Sequence, residues 1–223
     1  MIENLTSFQK EQLEKYYAFL VEYNQKVNLT AITEKDEIYI KHFYDSSLIQ
    51  KVIDLNNIET LCDVGSGAGF PSIVLKILYP HLHVTIVDAL DKRLTFLRQL
   101  ANLLNLDNIT LVHARAEDYA KTEARESFDL VTARAVAREN ILNELCIPLV
   151  KVGGYFISMK GKDYQEEINE GKSLKILKAK IEDIARFVLP GENAERYLIK
   201  IKHYSAVDKK YPRDFAKIKS KPL

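Results

Sequence analysis

The hydrophobic positions of the first fifty or so residues recur at helical spacing. A helix predicted over residues 7–27 carries its apolar residues on one face: Leu13, Tyr16, Tyr17, Leu20 and Val27. Thr6 and Gln9 have the spacing of a capping box at its start. A second helix is predicted over residues 36–54, with Asp36 as its cap.

Beyond these helices the pattern changes to short β-branched runs. The runs are TLCDV, HVTIVD, ITLVHA, FDLVTAR and GYFISMK, and helices are predicted over residues 70–79, 92–105 and 138–150. This alternation predicts βαβ units and a parallel sheet. A Lys/Glu-rich helix from 160 to about 180 precedes IARFVLP and RYLIKIKHY, which are joined by Pro190 and Gly191. We expect these last two runs to close the sheet as an antiparallel pair.

The predicted fold is therefore α/β and Rossmann-like. It has a seven-stranded, mostly parallel sheet with helices on both faces and an N-terminal helical extension. Residues 1–55 form the extension, which we expect to pack on the core as part of a single structural unit. Residues 56–223 form the main domain, which ends in a basic tail.

Composition narrows the choice of cellular context and of chemistry. The 223 residues carry a net charge of +1, so the whole molecule does not attract nucleic acid. Cys62 and Cys146 lie in apolar runs without a CxxC pair, and we expect buried, inert thiols and no metal site. We see no signal-peptide pattern at the N-terminus and no run near the roughly 18 apolar residues that span a bilayer. The expected location is the cytoplasm, without a membrane partner.

The sharpest local motif is a glycine-rich loop between a predicted strand and a predicted helix. It reads Asp63-Val-Gly65-Ser-Gly67-Ala-Gly69-Phe70. Glycines allow positive φ and close approach to a ligand, and the following helix start offers free N–H groups. The GxGxG spacing, with an acid two residues before the first glycine, is typical of an S-adenosylmethionine loop. A dinucleotide site, whose fingerprint is GxGxxG, and a turn without a ligand remain alternatives.

Two further acidic segments support a cofactor at this loop. Asp88 ends the run VTIVD, 19 residues beyond Gly69, where an acid accepts hydrogen bonds from ribose hydroxyls. NAD also carries that ribose, so Asp88 does not separate the two cofactors. Ala116 and Glu117 follow ITLVHA, where this fold normally flanks an adenine, although a plain helix start explains them as well. Together with seven strands and a final hairpin, these features predict an S-adenosylmethionine-dependent methyltransferase.

The end of FDLVTAR disfavours adenine N6, cytosine N4 and glutamine as methyl acceptors. Amino-group methyltransferases commonly carry an Asn/Asp-Pro-Pro-aromatic turn there, and this chain has Arg134 instead. Neither cysteine has the Pro-Cys context of a C5-pyrimidine enzyme, so covalent catalysis is not expected. Arg134 is predicted to contact a phosphate, a base edge or the cofactor carboxylate, with a surface salt bridge as the alternative.

Several blocks resemble one known family in order along the chain. They are YNQKVNLTAI, KHFYDSSLI, DVGSGAGFPSIVLKI, DKRLTFLRQLANLLNL, FDLVTARAVA and YPRDFAKIKSKPL. They are similar to blocks of the RsmG (GidB) family, the bacterial small-subunit ribosomal RNA guanine-N7 methyltransferases. Tyr23 stands at the usual Trp position, and Ala216 and Ile218 replace a Gly and a Pro of the family's tail.

The resemblance implies both a set of cofactor contacts and a target. The implied contacts are Gly65, Phe70, Asp88, Ala89, Leu90, Ala116, Glu117 and Arg134. The implied reaction is methylation of N7 of one specific guanine in 16S rRNA, either free or in an assembly intermediate of the small subunit. Because N7 carries a lone pair and no proton, no general base is required.

The tail is the predicted RNA-binding region. Residues 200–223 hold seven lysines and one arginine against two aspartates, with Tyr204, Tyr211 and Phe215 interleaved for base stacking. A solvated tail without a partner is the alternative. The candidate RNA contacts are Arg93, Arg98, Arg138, Lys160, Lys209, Lys210 and Arg213.

Some assignments stay open at this point. His42 and Asp45 lie three residues apart on one helix face, as a cap or internal hydrogen bond or as a lid over the site. A small-molecule methyltransferase of the same fold is the main competing function. An RNA-binding module without catalysis and an NAD oxidoreductase are the others. We expect the chain to be a monomer.

Overall fold

The computed structural model describes residues 2–169, 172–192 and 194–223. In these residues seven strands form one sheet in the order β3-β2-β1-β4-β5-β7-β6. The strands are β1 Thr60–Val64, β2 His83–Asp88, β3 Ile109–His113, β4 Phe128–Arg134, β5 Val150–Lys160, β6 Ala179–Val188 and β7 Glu195–His203. Strands β1 to β5 pair in parallel, and β7 runs antiparallel to both β5 and β6. The predicted fold class is confirmed.

Helices cover both faces of this sheet. The α-helices of the described segments are α1 Ser7–Asn24, α2 Lys35–Ile38, α3 Asp45–Ser47, α4 Ser72–Leu78, α5 Asp91–Leu103, α6 Ala116–Tyr119, α7 Glu139–Cys146, α8 Tyr164–Asn169, α9 Ser173–Ile176 and α10 Phe215–Ser220. Buried side chains of α1, α4 and α5 form one core cluster, and those of α6, α7 and α10 form a second. The central strands β1 and β4 are buried on both faces, which explains their continuous apolar runs.

The N-terminal helix packs on the core as an amphipathic helix should. Thr6 and Gln9 form the predicted capping box, and the helix ends at Asn24, three residues short of the predicted end. Leu13, Tyr16 and Leu20 are buried in the cluster that contains the glycine loop. Their burial stabilises the docking of α1 by roughly 1.5–3 kcal/mol for each large side chain.

Several predicted helix bounds differ from the structure. The second helix starts at Lys35 with Glu34 as its cap, so Asp36 lies in the first turn instead. It continues through a π-helical turn, Tyr39–Tyr44, and α3 to a 3₁₀ turn, Leu48–Lys51.

The helix predicted from 160 to about 180 is wrong at its end. It is represented by α8 and α9, with residues 170 and 171 outside the described residues, and β6 already begins at Ala179. The helix predicted to reach residue 150 ends at Cys146, because Pro148 leaves no backbone donor for a longer α-helix.

The C-terminal tail is docked on the protein. Val207 and Ile218 are buried in the second core cluster, and Tyr211 and Phe215 pack against it. Arg125 donates hydrogen bonds to the carbonyls of Val207 and Tyr211, at 2.8 and 2.7 Å. The aromatic rings proposed for base stacking are therefore mostly used in packing, and Tyr204 alone of the three is largely exposed.

Both cysteines are buried free thiols, as predicted, and burial raises the pKa of Cys62 and Cys146 well above their ordinary value. Among the described residues, no helix combines the length and apolar character needed to cross a membrane. No group of three or more His, Cys, Asp or Glu side chains in the same part of the chain is arranged to hold a metal ion.

Candidate active site

The predicted site residues meet at one edge of the sheet. Strands β1, β2, β4 and β5 are parallel, so their carboxyl ends lie side by side. The glycine loop leaves β1, Asp88 ends β2, Arg134 ends β4 and Lys160 ends β5. This is the edge at which doubly wound sheets bind ligands.

The glycines of the loop serve different purposes. Gly65, Gly67 and Gly69 all have positive φ, at 70°, 62° and 98°. A Cβ on Gly69 would lie 2.7 Å from Ile73 Cγ1 and 2.8 Å from the Tyr16 hydroxyl, so this position is needed for packing. A Cβ on Gly67 would meet nothing within 4 Å. The open space at Gly67, the cradle, is where we expect a ligand to approach the backbone.

Alanine at these two positions is expected to separate binding from folding. Gly67→Ala should lower the free energy of unfolding by only about 1 kcal/mol, the cost of a side chain at positive φ. Gly69→Ala should lower it by about 2–3 kcal/mol because overpacking is added. In contrast, Gly67→Ala should weaken S-adenosylmethionine binding about tenfold or more, because the methyl group fills the cradle. Urea unfolding and calorimetric titration measure the two effects; equal binding by Gly67→Ala and wild type would contradict this role.

Asp63 lies beneath the loop and is fully buried. The Ser72 N–H donates to its Oδ2 at 3.2 Å, which ties β1 to the start of α4. Burial raises the pKa of Asp63 to about 7, while hydrogen bonds from Ser72 and the charge of Arg134 oppose that rise. Nearby in sequence, the Ser66 hydroxyl is buried without a hydrogen-bond partner within the described residues. A buried, unpaired polar group in the loop is what a polar ligand would satisfy.

Asp88 is held in place by its own loop. Its Oδ1 accepts from the Leu90 N–H at 2.9 Å, and its Oδ2 lies 3.3 Å from Arg93. The Gly65 N–H donates to the carbonyl of Val87 at 2.8 Å, so the glycine loop and Asp88 are neighbours. Arg93, predicted as an RNA contact, thus forms an ion pair with Asp88.

The adenine side of the predicted cofactor site is also formed. Ala116 and Glu117 start α6 and are buried, and the Arg115 guanidinium lies 3.6 Å from the Glu117 carboxylate. Ala89 and Leu90 connect Asp88 to α5, with Leu90 largely exposed. A glycine cradle, a buried acid after β2 and a second acid after β3 therefore fit S-adenosylmethionine, and we expect its ribose at Asp88.

Arg134 is internal and charge-paired. Its guanidinium donates to Asp45 Oδ2 at 2.9 Å and to the carbonyl of Lys41 at 3.3 Å. It also lies 5.0 Å from the centre of the Phe70 ring. Asp45 Oδ1 is 3.2 Å from Arg196 of β7, a residue that the sequence did not single out. Asp45 is thus an internal acid that orients two arginines. This is the internal hydrogen bond, the first of the two roles predicted for it.

His42 forms part of the wall between the loop and this charged cluster. Its ring stacks on Phe70 with centroids 4.5 Å apart, and its Nε2 is 2.9 Å from the Thr30 hydroxyl. Burial, followed by the charge of Arg134, lowers the pKa of His42 to about 4. The imidazole is therefore neutral near pH 7.

The lowered pKa of His42 predicts acid sensitivity. The unfolded chain takes up the proton near pH 6.5 and the folded protein only near pH 4, so stability is complete above 6.5 and is lost as the pH falls between these values. At pH 5 the loss from this residue should be about 2 kcal/mol. His42→Gln should remove that part of the difference between urea unfolding at pH 7 and pH 5. The exposed His113→Gln is the control, and an unchanged pH dependence in His42→Gln would contradict the assignment.

A cavity of about 430 Å³ opens beside this cluster. The charged residues in its lining are Lys41, Asp45, Arg134, Lys160, Glu167 and Arg196. With four cations, two anions and a neutral His42, it is positive overall. Arg196 and Glu167 were missed in the sequence because they come from β7 and α8, far from the motifs.

The other predicted RNA contacts are scattered. Lys160 lies in the cavity wall and donates to the Ala137 carbonyl at 2.8 Å and to Glu167 at 2.7 Å. Arg138 precedes α7 near the same edge. Arg98, Lys209 and Lys210 are exposed and lie outside the cavity lining.

Arg213 is turned inward. Its guanidinium binds the fully buried Glu144 carboxylate, at 2.8 and 2.6 Å, and the carbonyl of Lys221 at 3.0 Å. Its Nε and Nη2 donors are thus engaged within the protein, and we propose a structural role for Arg213 in place of the predicted RNA contact.

Comparisons with known proteins agree with this geometry. Residues 9–197 match the GidB family, described as rRNA small subunit methyltransferase G. A Bacillus licheniformis protein named ribosomal RNA small subunit methyltransferase G is 54% identical over 212 residues, covering 94% of this chain and 89% of that protein. The protein of the same name from Bacillus subtilis is 51% identical over the same length, with the same coverage.

Solved structures with lower identity share the fold. A ribosomal protein L11 methylase from Lactobacillus delbrueckii subsp. bulgaricus superposes with a TM-score of 0.55 at 20% identity, over 74% of this chain and 79% of that one. M. jannaschii TYW2 in complex with AdoMet gives 0.52 at 15% identity, over 66% and 69%. Because the family model covers most of the sequence and two relatives are more than half identical to it, this chain belongs to the small-subunit ribosomal RNA methyltransferase G (GidB) family.

Proposed function

We propose that this protein transfers the methyl group of S-adenosylmethionine to N7 of one guanine in small-subunit ribosomal RNA, as a cytoplasmic monomer. The observation that carries the proposal is the shared wall at Phe70. This residue ends the glycine cradle and contacts both His42 and Arg134 at the cation-lined cavity. A methyl donor in the cradle and a nucleotide in the cavity would thus be neighbours. The membership of this chain in the methyltransferase family supports the same function.

S-adenosylmethionine, when bound, supplies an electrophilic methyl group on a sulfonium. The residues that would hold it are Asp88 at the ribose, Glu117 at the adenine and the loop from Gly65 to Phe70. Their contribution is orientation, which can lower a barrier by roughly 7–11 kcal/mol. No side chain has to accept a proton, because guanine N7 has none. The neutral His42 ring is suited to line the site by stacking on Phe70, without accepting a proton from the substrate.

The cations of the cavity act on the nucleotide. Guanine N7 has to keep its lone pair free for the methyl group, so Arg134, Arg138 or Lys160 would donate to O6 or to a phosphate and leave N7 unbound. Arg134 and Arg196 are fixed by Asp45 before the RNA arrives, which limits the reorganisation that binding requires. The exposed Arg98, Lys209 and Lys210 would add phosphate contacts outside the cavity.

Methyl transfer in vitro tests the proposal. Purified protein is incubated with labelled S-adenosylmethionine and either naked 16S rRNA or small subunits from cells lacking the protein. Digestion to nucleosides should find the label in 7-methylguanosine, and cleavage of the intact RNA at N7-methylated guanine should map it to one position. The two substrates show which form the enzyme uses. RNA affinity should fall with salt, with a logarithmic slope of about −0.7 per single-strand phosphate neutralised. Label in another nucleoside, or only in small molecules of a cell extract, would overturn the proposal.

A further inference from the structure

The lining of the cavity beside Arg134 contains both hydrogen-bond donors and a carboxylate. Arg134 and Arg196 line it from β4 and β7, and both bind Asp45. Glu167 lines it from α8. A ligand in the cavity would therefore meet both hydrogen-bond donors and a carboxylate.

Glu167 is the carboxylate placed to contact a ligand. Asp45 also lines the cavity, but its side chain is only 2% exposed and both of its oxygens face arginines. Glu139 lies behind the wall, 3% exposed, and accepts a hydrogen bond from Ser158 at 2.7 Å. The side chain of Glu167 retains 22% of its exposure.

The position of the Glu167 carboxylate is fixed by its neighbours. Its Oε2 accepts from the Glu139 backbone N–H at 2.9 Å and from Lys160 Nζ at 2.7 Å. Both bonds go to Oε2, so they orient the group without engaging Oε1. Lys160 is itself held by the Ala137 carbonyl at 2.8 Å. The carboxylate is therefore arranged before a ligand binds.

This polarity matches guanine better than the other purines. Guanine presents O6 and N7 acceptors on one edge and the N1–H and N2–H donors on the edge that pairs with cytosine. Oε1 of Glu167, the oxygen that Glu139 and Lys160 do not use, can accept from both of these neighbouring donors. Adenine offers an N1 lone pair there, which a carboxylate repels, and inosine lacks the N2 amine. The cavity volume lies within the range of pockets that hold small ligands.

We propose that Glu167 determines base specificity by accepting hydrogen bonds from N1 and N2 of the target guanine. Lys160 is a positioning residue that holds the carboxylate. This inference rests on the proposed function, and it names the group that selects guanine over other purines once the RNA is bound.

The test compares guanine with inosine at the mapped target position. Full-length wild type, Glu167→Ala and the control Glu166→Ala, an exposed neighbour on the same helix, are assayed for kcat/KM on small-subunit RNA carrying either base. Wild type should prefer guanine about tenfold or more, the effect of one hydrogen bond to a charged acceptor. Glu167→Ala should lose that preference, with a ratio near one, whereas Glu166→Ala should keep it.

Two controls distinguish specificity from general damage. Glu167→Ala should retain the S-adenosylmethionine affinity of wild type, and its loss of kcat/KM should be larger on guanine than on inosine. Glu167→Gln should also fail to restore the preference, because its amide presents a donor to the N2 amine. A Glu167→Ala variant that keeps the wild-type ratio overturns the inference and leaves the proposed function intact. Absence of transfer to guanine N7 by wild type overturns both.

Discussion

Replacing Arg213 with alanine is expected to lower the free energy of unfolding by about 3–5 kcal/mol. Arg213 neutralises Glu144, which is completely buried on α7, through contacts from its backbone N–H, Nε and Nη2. The variant would leave a carboxylate without its counter-charge in the second core cluster. The loss is a large part of the 5–15 kcal/mol by which domains are usually stable.

Urea unfolding at pH 7 measures this effect, and two further variants locate its cause. Arg186→Ala removes a guanidinium whose pair with Glu195 lies at the surface, and it should change the free energy of unfolding little. The double variant Arg213→Met with Glu144→Leu removes both charges and should recover most of the stability. If Arg213→Ala were as stable as wild type but bound RNA more weakly, the original prediction of an RNA contact would be right after all.

Asp88→Ala is expected to weaken S-adenosylmethionine binding by about 100-fold or more. A carboxylate that accepts from two ribose hydroxyls contributes about 1.5–3 kcal/mol for each bond to the charged group. The geometry of Asp88 is fixed by Leu90 and Arg93 before binding, so little ordering cost offsets that gain. Asp88→Asn keeps the bond from the Leu90 N–H but loses the charge, and its affinity should be intermediate.

Isothermal titration of the full chain measures the affinities directly. Asp183→Ala, on the exposed strand β6, is the control and should bind like wild type. Wild-type affinity in Asp88→Ala would remove the ribose from this position and with it the proposed orientation of the cofactor. Binding of NAD in place of S-adenosylmethionine by wild type would revive the dinucleotide alternative.

The cofactor edge could be predicted because its signals are local. Asp63, Gly65, Gly67 and Gly69 lie within seven residues, and their spacing reflects backbone angles that the structure adopts. Asp88 follows from the same rule, since the end of the next parallel strand has to lie beside the loop.

The charged cavity could not be predicted in this way. Arg134, Asp45 and Arg196 come from three separate elements, and each alone resembles an ordinary surface charge. Glu167 lies in a segment predicted as one long Lys/Glu-rich helix, where no spacing marks a functional carboxylate. Their roles arise from the ion pairs that the packed chain forms.

The sequence by itself determined the fold class and the cofactor loop, because these depend on periodicity and on backbone conformation over short stretches. Only the tertiary structure decided which charges face a ligand. It turned Arg213 toward Glu144 and packed Phe215 beneath Arg115, with its ring centre 4.5 Å from that guanidinium. The number of lysines and arginines in a segment gives its charge but does not show which of these side chains face solvent. Because Glu144 is buried and charged, leaving it without Arg213 would cost free energy, and the Arg213 side chain therefore faces inward.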